Sequence, residues 1–345
     1  MIIIMSNDFT PENLSDINKR LDDGGLQGKQ IEGTEKTVIA VVGNVYPELR
    51  DEMSRMPGVA SVVRISKPYK LSSRETKPEN TVVDLPFNVQ VGGNQFVVMA
   101  GPCSIESRDQ LFETANAVKA AGAHVLRGGA FKPRSSPYAF RGLGEEGLKL
   151  LYEAREEFDM PVITEVLSVR DVELVAQYSD ILQIGARNMQ NFILLDEVGK
   201  TGKPIMLKRA LSGSIEEWLL ASEYILSQDN PNLILCERGI RTFEKATRNT
   251  LDLSAIALVK QLSHLPVISD PSHGTGLWDL VEPMSLASIA VGADGLMIEV
   301  HPNPELALSD GPQSLKLDTF DNLMKVASNL ANMVGRPMAE LPSKS

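Results

Sequence analysis

From residue 95 onward, apolar and polar positions alternate in a repeating manner: short, solid apolar runs are followed by longer amphipathic stretches. The runs are FVVMA, HVLRG, PVITEV, DILQIG, PIMLK, LILCE, PVISD and DGLMIE. Each is too short for a helix and apolar on both faces, as strands covered on both sides of a parallel sheet are. Between them apolar residues recur at helical spacing, in segments such as Gln110 to Ala121, Glu145 to Phe158, Val169 to Tyr178, Ile215 to Ser227 and Leu253 to Leu262. Eight strand-then-helix cycles in roughly 250 residues predict a (β/α)8 TIM barrel. A doubly wound sheet would give the same alternation, but none of the runs leads directly into a GxGxxG turn.

The front of the chain has a different rhythm. Met1 to Met5 is strand-like, and Pro11 to Leu21 places Leu14, Ile17 and Leu21 on one helical stripe before Gly24-Gly25 breaks it. A strand pair, Leu26 to Glu32 and Thr37 to Val42 around Gly33, is followed by a helix from about Pro47 to Arg55 and a strand from Val59 to Ile65. The order βαββαβ predicts a ferredoxin-like α+β sandwich over residues 1–66. Residues 67–94 carry KPYKLSSRETKPEN and Gly92-Gly93, a linker composition ending in a short hairpin, so the barrel is expected over 95–345.

Charge and cysteine content narrow the function classes. A formal net charge of -11 on 345 residues speaks against broad nucleic-acid binding, which needs a basic face. Two cysteines, Cys103 and Cys236, are too few for a disulfide framework and fit a reducing cytosol. MIIIM lacks the flanks of a signal peptide, and no apolar run reaches the roughly 18 residues needed to span a bilayer. A cytoplasmic protein, away from membranes, is expected.

Against that acidic balance, LRGGAFKPRSSPYAFRG (126–142) contains Arg127, Lys132, Arg134 and Arg141 and no carboxylate. If the barrel is right, residues just after each run meet on one face: Cys103, Arg127, Glu165, Arg187, Lys208, Arg238, Asp270 with His273, and Glu299 with His301. Singly, a strand-end charge is more often merely solvated, and a lone cysteine merely a small buried hydrophobe. Together the cations would repel one another without a multiply charged anion, and guanidinium forks suit carboxylate and phosphate. Gly128, Gly129 and Gly185 let backbone approach such a ligand, with the Ala186 amide as a further donor. Cys103, His273, Glu299 and Asp310 mix soft and hard donors, which suits a divalent transition metal better than magnesium or calcium. Their spacing has no CxxC-type signature, so pattern alone leaves the metal site open.

The motifs AGPCSIES, LRGGAFKPRSSPY, QIGARNMQN, LKRALSGSIEEW, LCERGIRTF, SDPSHGTG and EVHPNPELALSDGPQSL stand in order along the barrel region. Together they resemble 3-deoxy-D-arabino-heptulosonate 7-phosphate (DAHP) synthase, in the branch with an N-terminal ferredoxin-like domain. The resemblance implies condensation of phosphoenolpyruvate with D-erythrose 4-phosphate at the entry to the shikimate pathway. It implies a divalent metal (Mn, Fe, Co, Zn or similar) on Cys103, His273, Glu299 and Asp310. Phosphoenolpyruvate would be held by Arg127, Lys132, Ala186, Arg187, Lys208 and Arg238, and the sugar phosphate by Pro133, Arg134, Ser135 and Ser136. Lys132, Glu165 and His301 would act in the chemistry, with Ser135 standing where many members carry Thr. An aromatic amino acid effector (Tyr or Phe) at the front domain and a homotetramer are implied as well. Two competing readings are the sister enzyme that makes 3-deoxy-manno-octulosonate 8-phosphate from arabinose 5-phosphate, and a non-catalytic anion-binding barrel. The sister family carries a KANRSS-like run where this chain has Pro133-Arg134-Ser135-Ser136-Pro137.

Overall fold

The computed structural model describes residues 1–32, 36–43, 45–46, 48–63, 68–133 and 138–341. Two compact units emerge: Met1–Asn80 with Gln261–His264, and Thr81–Lys260 with Leu265–Ser345.

In the first unit the order is β1 (Ile2–Met5), α1 (Pro11–Asp23), β2 (Gln27–Glu32), β3 (Thr37–Val42), α2 (Leu49–Ser54) and β4 (Val59–Val63). The antiparallel sheet runs β2-β3-β1-β4, the ferredoxin-like order. Thr10 caps α1 through a capping box and Pro11 opens it. Alternation in β1 and β3 turns Ile3, Met5, Ile39 and Val41 onto one face, where Ile17, Leu21, Leu49 and Met53 from the two helices meet them in one buried cluster. Gly33, Pro47 and Ile65, which the sequence places at a turn, a helix start and a strand end, lie outside the described residues. Residues 68–80 also belong to this unit, tied by the Arg74 amide donating to the Leu262 carbonyl (2.8 Å) and by a bridge between Ser73 and Ser263.

The second unit starts with a hairpin, β5 (Val83–Asp84) and β6 (Gln90–Val91), and continues into β7 (Val97–Gly101), β8 (Val125–Arg127), β9 (Val162–Glu165), β10 (Ile181–Ile184), β11 (Ile205–Lys208), β12 (Leu233–Glu237), β13 (Val267–Ser269) and β14 (Gly295–Glu299). These last eight strands close into an all-parallel barrel, with β14 paired to β7. The helices alternate with them: α3 (Arg108–Ala120), α4 (Glu145–Phe158), α5 (Val172–Tyr178), α6 (Phe192–Lys200), α7 (Ile215–Leu226), α8 (Leu253–Leu262), the short α9 (Pro271–Thr275), α10 (Trp278–Ala290) and α11 (Leu317–Met333). The expected helix at Gln110 starts two residues earlier because Ser107 accepts from the Gln110 amide as its N-cap.

Inside the barrel, Val97, Met99, Val125, Ile163, Ile181, Met206, Ile234, Ile268 and Met297 form one buried cluster with Val83, Leu85, Val89 and Val91 of the hairpin segment. Each such aliphatic or Met side chain contributes about 1.5–3 kcal/mol on leaving water. Successive strand residues point to opposite faces, so the interior position two residues beyond each of these is fixed as well. That step reaches Arg127 from Val125, Glu165 from Ile163, Gln183 from Ile181, Lys208 from Met206, Asp270 from Ile268 and Glu299 from Met297. The apolar phase of the strands thus lifts a charged or polar layer onto the C-terminal mouth.

Candidate active site

At that mouth is a cavity of about 160 Å³, lined by Lys132, Pro133, Glu165, Gln183, Gly185, Ala186, Arg187, Lys208, Arg238, Arg248, His273 and Asp310. Most of the residues expected from the sequence therefore share one wall. Arg127, Cys103 and Glu299 lie immediately behind it, all buried. Arg134, Ser135 and Ser136 lie outside the described residues. His301 stands apart from the cavity lining: its Nε2 is 3.4 Å from Glu106 Oε2 and its Nδ1 accepts from the Asn303 amide at 2.9 Å.

The segment SDPSHGTG shows how local sequence builds the site. Asp270 is the N-cap of α9 and Pro271 its first residue; Gly276 ends the helix in the left-handed region (φ 75°). One turn in, His273 is brought back over the cap, so that Asp270 Oδ1 accepts from the His273 amide (3.0 Å) and Oδ2 from its Nδ1 (2.8 Å). Lys208 Nζ also donates to Asp270 Oδ2 at 2.6 Å. Burial opposes ionisation of Asp270, but His273 and Lys208 hold its carboxyl well below the usual range. Burial pushes the imidazole of His273 down, towards the neutral form, against the pull of Asp270 and Glu299.

These protonation states have a geometric consequence. An ionised Asp270 accepts the hydrogen bond of Nδ1–H of a neutral His273, which leaves Nε2 as an acceptor. Nε2 lies 3.4 Å from Glu299 Oε1, and Glu299, despite its burial, is held below the usual carboxylate pKa by His273 first and then by Arg127 and Lys132. Two acceptors facing each other inside a protein call for a cation between or beside them. Ligand atoms of Cys103, Glu299 and Asp310, a thiol and two carboxylates, lie within 4.8 Å of one another, and His273 adjoins this group through its Nε2, 3.4 Å from Glu299 Oε1. Asp270 stands behind His273 as a carboxylate stands behind a metal-binding histidine to fix its tautomer. The donor set fits a divalent metal.

Positive charge surrounds this set. Arg127 Nη1 donates to Glu299 Oε1 (3.0 Å) and to the Pro102 carbonyl (2.6 Å), while its buried Nε has no partner among the described residues. Lys132 Nζ donates to Cys103 Sγ at 3.0 Å and to its carbonyl at 3.1 Å. Burial would lower the ammonium pKa of Lys132, yet Cys103 and Glu299 raise it above its ordinary value, so it stays charged. Burial and the neighbouring Glu299 push the protein-only thiol of Cys103 up to about 12, and a metal ion is what makes such a thiol a thiolate. Gly185 has a packing reason: a Cβ there would stand 1.9 Å from Glu165 Oε1.

Sequence reasoning missed Arg248 and Gln313 and gave Asp270 no role. Arg248 Nη1 donates to Asp310 Oδ1 (3.2 Å) and to Gln313 Oε1 (2.7 Å), and Gln313 Nε2 donates to Glu299 Oε2 at 2.6 Å. Neither Arg248 nor Gln313 follows an apolar run, so strand-end counting passes over both. Gln183 carried a signal that could have found it, two residues beyond Ile181 on β10.

A closed β/α barrel whose mouth joins a cationic cavity to a group of potential metal donors has the layout of a barrel enzyme with an anion-binding site. Within that class the chain belongs to the DAHP synthetase I family, whose family model matches residues 74–335, and the DAHP synthase ferredoxin-like domain matches residues 1–67. It is 50% identical to a phospho-2-dehydro-3-deoxyheptonate aldolase of Thermotoga maritima, over 97% of this chain and 99% of that protein. The crystal structure of the DAHP synthase of Thermotoga maritima aligns with a TM-score of 0.79 at 49% identity, covering 98% of this chain and 99% of that one. A 2-dehydro-3-deoxyphosphooctonate aldolase of Fusobacterium nucleatum is 33% identical over 72% of this chain and 95% of its own length. Among the described residues no helix is long and apolar enough to cross a membrane.

Proposed function

We propose that the chain condenses phosphoenolpyruvate with D-erythrose 4-phosphate to DAHP and inorganic phosphate, the first step of the shikimate pathway, using the residues of this cavity. What carries the reading is the placement of Arg187, Lys208 and Arg238 in one cavity with His273 and Asp310. Arg187, Lys208, Arg238 and the Ala186 amide hold the phosphate of phosphoenolpyruvate, and Arg127 and Lys132 serve its carboxylate end. Pro133, Arg134, Ser135 and Ser136 receive the sugar phosphate. Holding two mutually repelling anions in reach of one another is the main task of this cradle.

A bound divalent transition ion supplies Lewis-acid polarisation of the acceptor aldehyde; Cys103, His273, Glu299 and Asp310 would hold it. The carbon 3 to carbon 1 bond forms, Lys132 donates a proton to the new alkoxide, and water adds at carbon 2. Glu165, held against Gly185, orients or deprotonates that water. Cleavage of the carbon–oxygen bond at carbon 2 then releases phosphate and leaves the ketone. His301 tunes the site through its hydrogen bonds.

Residues 1–66 are proposed as a regulatory domain for Tyr or Phe, followed by a linker and hairpin to about residue 94, in a cytoplasmic homotetramer. The test of the reaction is loss of enol absorbance when phosphoenolpyruvate is mixed with four-carbon or five-carbon aldose phosphates. Turnover with erythrose 4-phosphate is expected. Preference for arabinose 5-phosphate would transfer the chain to the octulosonate reaction, and inertness with every divalent metal would leave an anion-binding barrel. Removing residues 1–66 is expected to abolish inhibition by aromatic amino acids; unchanged inhibition rejects regulation through that domain.

A further inference from the structure

Beside the substrate cavity lies a second one of about 130 Å³, lined by Ala186, Arg187, Leu211, Arg238, Arg241, Arg248 and Asn249. Arg187, Arg238 and Arg248 belong to both cavities, whereas Arg241 belongs only to the second and Lys208 only to the first. Among the described residues, Arg187, Arg238 and Arg241 have no carboxylate partner; Arg248 alone has one, Asp310 at 3.2 Å. Arg238 is buried, and among the described residues its Nη1 donates to the Gly239 carbonyl alone, at 3.3 Å.

The loop carrying Arg238, Arg241 and Arg248 is tied down by backbone hydrogen bonds. Ile240 and Thr250 exchange backbone hydrogen bonds of 2.9 Å in both directions, the Arg241 amide donates to the Leu211 carbonyl at 2.7 Å, and the Arg248 amide donates to the Thr275 carbonyl at 2.8 Å. Four guanidiniums held around a space of this size, with one carboxylate among them, leave a strong unmet demand for a small multivalent anion.

We propose that this second cavity is a release subsite for inorganic phosphate, reached from the phosphate cradle along the shared arginines. The inference rests on the condensation proposed above, which liberates phosphate at that cradle. A phosphate moving across exchanges Lys208 for Arg241 while keeping Arg187, Arg238 and Arg248, so it never passes through an uncompensated position. No bond is made or broken in the transfer. The same chemistry would suit the phosphate end of the acceptor sugar, and the experiment separates the two.

The metal-loaded full chain, saturated with phosphoenolpyruvate to fill the cradle, is titrated with inorganic phosphate by calorimetry. Phosphate is expected to bind this complex, to bind about tenfold more weakly in Arg241→Gln, from one lost charge-assisted contact, and to be unaffected in Arg134→Gln. Phosphoenolpyruvate affinity should be unchanged in Arg241→Gln, which also reports that the variant is folded. Absence of phosphate binding to the complex, equal affinity in wild type and Arg241→Gln, or equal or greater loss in Arg134→Gln each overturns the proposal. Turnover of phosphoenolpyruvate with erythrose 4-phosphate is followed on the same preparation, and its failure would instead overturn the reading on which the subsite rests.

Discussion

Gly185 shows how little room the reaction centre leaves at a single residue. A methyl group at this position would overlap Glu165 Oε1, at 1.9 Å, and the carboxylate must swing away to admit it. Displacements of about 1 Å at reacting groups cost about 10²-fold in rate, so Gly185→Ala should lose that much in kcat, and Glu165→Gln should reproduce the loss. A Gly185→Ala enzyme with wild-type kcat would remove Glu165 from the chemistry. Cys103→Ser exchanges a soft ligand for a harder, more weakly binding hydroxyl. The apo-protein should then bind Zn(II) or Co(II) at least about tenfold more weakly in competition with a chromophoric chelator. Unaltered affinity would mean that the thiol is not a ligand.

At the scale of elements, the strands are anchored from outside as well as inside. Arg209, directly after β11, points its Nη1 at Glu237 Oε2 of β12 and at Asp252 Oδ2, each 2.9 Å away, and Glu237 is fully buried. Glu237 Oε1 accepts from the Gly239 amide at 2.7 Å, so the network also sets the turn that presents Arg238. Arg209→Met strands a buried carboxylate and should cost about 3–5 kcal/mol, read from the urea midpoint. A shift of under about 1 kcal/mol, the scale of an exposed pair, would show that the network is dispensable. In the first unit, His264 Nε2 donates to the Leu71 carbonyl at 2.8 Å, and burial drives its pKa down to about 4 from 6.5. The unfolded chain therefore binds the proton first on acidification. Stability is complete above pH 6.5 and falls as the pH drops towards 4, by up to about 3 kcal/mol from this group. His264→Gln, which keeps a donor without the titration, should flatten the pH–stability profile across that window; an unchanged profile would assign the acid sensitivity to other groups.

Over the whole molecule, the parts legible in the sequence were those set within a few residues. The apolar runs gave eight strands, and the positions just after them gave the residues gathered at the mouth; being apolar on both faces, the runs left to the barrel the phase that sends Arg127, Lys208 and Glu299 inward. Asp270-Pro271 before His273 is likewise a local instruction, a cap and a first turn. Helix α10 left a weaker mark: it carries an internal Pro283 and apolar residues spread around its circumference, so no single stripe stands out.

What the chain determined by itself is the identity and order of its elements, because sterics and hydrophobic periodicity act between near neighbours. Only the closed barrel decided which groups meet. Cys103 reaches Asp310 across 207 residues and Arg248 reaches the same carboxylate across 62, contacts that no local preference encodes. Closing β14 onto β7 brings the barrel's first and last strands side by side, and with them the Cys103 thiol and the Glu299 carboxylate, whose neighbouring lone pairs demand a cation. That demand is a property of positions in space, since charge acts through distance and not through order along the chain.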